Sequence, residues 1–206
     1  MLLSTIHKED FMQNYNQNNP EWKNKQHGSS SSTIGKTGCT ITGLGDLGDL
    51  NPFEVNKRLN DIGGYAAPKE YPTQKNLVVW SKIKEAIPWL EFEWRGYTYN
   101  SVNDNNMVKI AIQKYGGCLV EVDAKPIGGT RHWVVYRGNQ KLYDPFDGKE
   151  KPTSTYSAVG FSIIRVLPKP VDNPLKMVVA QVMAIGNSPT TDVDKISQWK
   201  QVLATV

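Results

Sequence analysis

Apolar residues change their period part-way along this chain. In the first half they recur at helical spacing. Ile41, Leu44 and Leu47 follow Cys39, so a helix is expected to begin near that cysteine, short or irregular because Gly43, Gly45 and Gly48 interrupt it. Asn51, Pro52 and Glu54 form a helix start, with Asn as cap, Pro in the first helical position and Glu three residues after the cap. Val55, Leu59 and Ile62 then repeat until Gly63 and Gly64 stop the run. Two further helical patterns are expected: Leu77 to Ile87, closed by Pro88, and a run from about Asn103 through Ile112 to Gly116 and Gly117.

Beyond Gly117 the pattern becomes that of strands. Cys118 to Val122 is apolar and β-branched, His132 to Tyr136 is another such run, Lys141 to Tyr143 is short, and Val159 to Val166 is a fourth, with glycine-bearing turns between them. Helices first and an antiparallel sheet second predict an α+β domain over residues 1–168. Pro168, Pro170 and Pro174 open a linker, and Leu175 to Ile185 and Val193 to Val202 carry modest helical patterns. Residues 169–206 therefore read as a helical tail whose apolar face packs on the main domain or on an assembly partner.

Composition narrows the function classes. Hydrophobic residues at 39% and charged residues at 21% suit a folded globular protein. The 24 basic and 20 acidic side chains are scattered, without the Lys/Arg run that tracks phosphates, so no nucleic-acid partner is expected. No apolar stretch reaches the roughly 18 residues of a membrane span, and the Met1 to Ile6 segment is too short for a signal-peptide core, so cytoplasmic synthesis without membrane attachment is expected. Two cysteines, Cys39 and Cys118, do not make a disulfide framework, and the histidines do not fall at zinc-finger intervals, so neither metal nor cofactor is expected.

The candidate chemistry centres on Cys39. It follows Gly38 at a loop-to-helix junction, where the helix dipole lowers a thiol pKa and an imidazole neighbour lowers it further. A lone cysteine is more often a small buried hydrophobe, which is the reading for Cys118 within its apolar run. His132 opens a strand, and Asp144 closes the next one before Pro145. If those strands pair as a hairpin about Arg137 to Gln140, His132 and Asp144 lie near one sheet end and the carboxylate fixes the imidazole. Asp147 competes with Asp144 for that role, and Asp144 is preferred. Gln17, among several Asn and Gln residues, supplies a side-chain amide donor for an acyl-transfer oxyanion. The aromatic set Trp80, Trp89, Phe92, Trp94, Tyr97 and Tyr99 reads first as core and second as groove wall.

The order Gln17 with Pro20 and Trp22, then Thr33 to Thr40 containing Gly38 and Cys39, then His132, Trp133 and Val134, then Asp144 and Pro145, resembles the papain-like clan and specifically the C39-like peptidases of bacteria and their phages. The likeness spans roughly Tyr15 to Leu167. It implies a papain-like fold with Cys39 as nucleophile, His132 as acid and base, Asp144 as orienting acid and Gln17 as oxyanion donor. It further implies a cysteine peptidase or amidase acting on a peptide or on peptidoglycan, virion-associated or released on lysis. The glycine-rich stretch Gly43 to Gly48 departs from the long central helix of that family. The competing expectation is a papain-like fold kept as a non-catalytic component of a virion or other assembly, docking through the tail.

Overall fold

A computed structural model of the chain describes residues 14–69, 72–97, 112–125 and 128–170. The chain forms two compact units, Met1–Leu167 and Pro168–Val206. The helical patterns expected in the tail, and Asn103 to Ala111, lie outside the described residues. The first unit is α+β. Its helices are α1 (Ile34–Thr37), α2 (Cys39–Gly48), α3 (Pro52–Asp61) and α4 (Ile83–Ala86), and its strands are β1 (Tyr65–Ala66), β2 (Leu77–Val78), β3 (Leu90–Tyr97), β4 (Gly116–Asp123), β5 (Arg131–Gly138), β6 (Lys141–Asp144), β7 (Lys149–Pro152) and β8 (Ala158–Val166). β1 and β2 pair with each other, and the other six strands make one antiparallel sheet in the order β3-β8-β4-β5-β6-β7.

The glycines of α2 do not break it; they let it sit close to its neighbours. The helix buries Ile41, Leu44 and Leu47 in a core with Leu119, Val135, Tyr143 and Ile164 of the sheet. A Cβ on Gly43 would come within 2.7 Å of Leu119 Cδ2, one on Gly45 within 2.3 Å of the Leu50 carbonyl oxygen, and one on Gly48 within 3.1 Å of Leu90 Cδ1. The propensity cost of glycine, about 1 kcal/mol each, is offset by packing a helix directly on a sheet. Asn51 caps α3 as expected, its side chain accepting the Glu54 N–H at 2.9 Å with Pro52 beside it. Buried Val55 and Leu59 face the same core.

The four expected strands all form, each extended by one to three residues. β5 and β6 make the expected hairpin, turning through Asn139 and Gln140 at φ of 49° and 61°. Alternate rows serve two cores: Leu119, Val135 and Tyr143 face the helices, and Cys118, Val120, Val134, Tyr136 and Leu142 join Tyr156, Phe161 and Ile163 in a second cluster.

Two expectations need correction. Leu77 to Ile87 is not one helix: Leu77 and Val78 are β2, Trp80–Lys82 is a single 3-10 turn, and only Ile83–Ala86 is α-helical. Val78 and Val79 are β-branched and pair or extend more readily than they coil, so the helical spacing there was coincidental. β3 and β7 were not anticipated. In β3 a bulge between Phe92 and Trp94 sends two aromatics two residues apart to opposite cores, Phe92 with the helices and Trp94 onto Phe161.

Candidate active site

Cys39 is the first residue of α2, held there by a tight junction. α1 ends at Thr37, and a Cβ on Gly38 would lie 2.4 Å from the Ile34 carbonyl oxygen, so only glycine allows the chain to turn from one helix into the next. Thr42 closes the first turn of α2, its N–H and its hydroxyl each donating to the Gly38 carbonyl at 2.9 Å. No side chain caps this helix, so its first N–H groups and their partial positive charge are directed at the Cys39 end. The residue is half-buried.

His132 is the second residue of β5 and is buried, paired in register with Val122 of β4. Tyr143 pairs with Val135, so one step further Asp144 falls on the same face of the sheet as Val134 and His132. The His132 Nε2–H donates to Asp144 Oδ1 at 2.6 Å, which leaves Nδ1 for the cysteine. Burial alone would raise the Cys39 thiol, but its hydrogen bond to His132, the imidazolium charge, the Trp133 N–H and the Thr40 hydroxyl together bring it below the ordinary range. Burial alone would lower His132, but the hydrogen bonds to Asp144 and Cys39 and their charges lift it to about 9. Asp144, fully buried, is pulled well below the usual carboxylate range: burial opposes ionisation, and His132, Lys151 and Tyr156 more than reverse it. Those opposed shifts are what a thiolate–imidazolium pair held by a carboxylate requires.

Asp144 has four donors: His132, the Phe146 N–H at 2.8 Å, Lys151 Nζ at 2.6 Å and the Tyr156 hydroxyl at 2.5 Å. Lys151 and Tyr156 were not anticipated. They come from β7 and from the turn after it, which no spacing ties to Asp144; the one local signal is Asp147 to Lys151 at i,i+4, an ion pair of 2.9 Å. Asp147 therefore serves Lys151.

Gln17 is buried and lines the same cavity as Cys39 and His132. Its backbone N–H donates to the Pro145 carbonyl at 2.8 Å, and the neighbouring Asn18 amide donates to the Phe146 carbonyl at 2.6 Å, so its segment is laced to the loop after Asp144. One hydrogen of the Gln17 amide goes to the Gly35 carbonyl at 2.9 Å, and the nitrogen carries a second. Oε1 meets no donor.

The cavity has a volume of about 770 Å³. Along one wall Trp80 packs on Phe92 and on Trp133, at centroid distances of 5.5 and 5.1 Å, and Arg95 lies over Trp133 while donating to Glu121 at 2.5 Å. Trp89 is a core residue, Trp94 packs half-buried on Phe161, Tyr97 is exposed, and Tyr99 lies outside the described residues. Cys118 is fully buried and its thiol is pushed up by burial. Among the described residues no group of His, Cys, Asp and Glu is placed to hold a metal ion, and no helix is long and apolar enough to cross a membrane. Comparison of the chain with family models, with curated proteins and with solved structures finds no match.

Proposed function

We propose that this protein is a cysteine hydrolase of papain-like fold that cleaves a peptide or amide bond. The observation that carries the reading is the ordered contact of a helix-N-terminal thiol, an imidazole and a buried carboxylate, with the thiol and the imidazole lining one cavity. The succession of a cysteine-bearing helix, then an antiparallel sheet carrying first the histidine and then the acid, supports the fold assignment.

In this reading the Cys39 thiolate attacks the substrate carbonyl carbon and the carbonyl π electrons move onto oxygen. The oxyanion accepts hydrogen bonds from the α2 N-terminus and the second Gln17 amide hydrogen, each donor worth about 2.7–4 kcal/mol where such holes have been dissected. The His132 imidazolium gives its Nδ1 proton to the departing nitrogen, and the C–N bond breaks to leave a thioester on Cys39. Neutral His132 then takes a proton from water as it attacks the thioester, and the acid product leaves with the thiolate restored. Asp144 keeps Nε2 protonated throughout, so that Nδ1 is the atom that exchanges the proton.

The peptide stems of bacterial peptidoglycan are the substrate to test first. Purified protein is incubated with peptidoglycan and, separately, with a mixed peptide library, and new amino termini are counted by mass spectrometry. Cleavage that disappears in a folded Cys39→Ala variant is the expected result. Cleavage that persists at an equal rate in that variant would sink the proposal.

A further inference from the structure

The two oxygens of Asp144 are used differently. Oδ1 accepts from His132 and from the Phe146 N–H, while Oδ2 accepts from Lys151 and Tyr156. Lys151 is three-quarters or more buried, its ammonium also reaching Asp147 Oδ2 at 2.9 Å and the Tyr156 oxygen at 3.1 Å. Burial opposes its charge, but these partners more than reverse that and keep it protonated throughout the working range. The Tyr156 hydroxyl, raised to about 12 by burial and by Asp144, stays a neutral donor. When His132 is an imidazolium, one carboxylate thus serves two cations.

That arrangement has a consequence for a hydrolase. A full carboxylate charge confined to the imidazole would hold it protonated and hold Cys39 as a thiolate of low nucleophilicity, and an acid–base group works best near the ambient pH. We propose, resting on the thiol-hydrolase reading, that Lys151 is a positioning residue that divides the charge of Asp144 and so limits how strongly His132 is held as an imidazolium. The charged and titratable groups facing this carboxylate are His132 from β5, Cys39 beyond it on α2, Asp147 from the β6–β7 turn, Lys151 from β7, Tyr156 from the following turn and Tyr143 from β6 itself. Asp147 offsets part of the Lys151 charge, and among these groups its carboxylate is paired with Lys151.

The test is the pH profile of Cys39 carboxamidomethylation by iodoacetamide in the full-length protein, followed by peptide mapping. Like charges sharing one carboxylate repel by on the order of one pKa unit at protein-like dielectric. Lys151→Met is expected to move the thiolate midpoint down by about that amount, while Lys151→Arg leaves it in place and Tyr156→Phe, which removes a donor but no charge, moves it by less than half as much. Lys151→Gln carries the same expectation if the methionine variant fails to fold. An unmoved midpoint in the charge-removing variants, or one that moves up because Asp144 has lost its anchor, overturns the proposal. A wild-type Cys39 that alkylates like a free thiol is a different result, and it overturns the hydrolase reading itself.

Discussion

Replacing Asp144 by asparagine keeps the side-chain shape and an oxygen to accept the His132 Nε2–H, removes the charge, and sets an NH2 where Lys151 and Tyr156 now find an acceptor. His132 is lifted from an ordinary 6.5 to about 9, the net result of burial pushing it down and of Asp144 and Cys39 raising it by more. At 1.36 kcal/mol per unit that is roughly 3 kcal/mol, and if Asp144 supplies about half, Asp144→Asn lowers the imidazolium by on the order of one unit. At pH 8.5, between the two values, the imidazolium fraction then falls about threefold and the second-order rate of Cys39 alkylation is expected to fall with it, whereas at pH 6.5 His132 stays almost fully protonated in both proteins. Stability follows by linkage. Asp144 has a depressed folded pKa, so its ionised form stabilises the native state above the unfolded value near 3.8, and this contribution fades as pH falls through the lower folded value. Urea melts at pH 7 are expected to show the variant less stable by about 1–3 kcal/mol, with Lys151 left short of an acceptor, and the gap is expected to close below pH 4. An alkylation rate at pH 8.5 unchanged by Asp144→Asn would refute the claim that this carboxylate supports the imidazolium.

Other expectations concern the scaffold. Buried His27 makes one hydrogen bond, between Nδ1 and the Thr37 hydroxyl at 2.8 Å, its Nε2 meets no partner, and burial pushes it down to about 4. A lowered folded pKa gives stability that is present above pH 6.5 and is lost as pH falls toward 4, by up to about 3 kcal/mol. The urea midpoint of wild type is therefore expected to fall more steeply between pH 7 and 4.5 than that of His27→Gln, and parallel slopes would refute it. Gly38→Ala sets a methyl against the Ile34 carbonyl and is expected to cost about 1–3 kcal/mol in a thermal melt and to slow Cys39 alkylation as α2 shifts; wild-type values for both would contradict the tight junction.

Much of this layout was legible in the residues themselves. Asn51, Pro52 and Glu54 announce α3 because capping is a local hydrogen-bond problem with few solutions. The β5–β6 hairpin was legible because a β-branched run and a short apolar pair, Leu142 and Tyr143, flank a tight polar turn, and it brings His132 to Asp144. What was missed depends on partners distant in the chain. The Gly43 to Gly48 run looks like helix weakness until Leu119 and Leu90 are seen pressed against it. β3 alternates Leu90, Phe92 and Trp94 with Glu91 and Glu93, a strand signal masked by its aromatic density and then broken by the bulge. Nothing in the sequence singles out Lys151 and Tyr156, because only the return of β7 along β6 carries them to the Asp144 carboxylate.

The central claim is that Cys39 is an activated thiol, and Cys118 provides a control within the same chain because it is fully buried and its thiol is raised. Alkylation of the native protein at pH 6, with both cysteines quantified by peptide mapping, compares them directly. Cys39 is expected to react well ahead of a free cysteine at that pH while Cys118 stays unmodified until the protein is unfolded. Reaction of Cys39 no faster than a free cysteine, with the protein folded, would contradict the account.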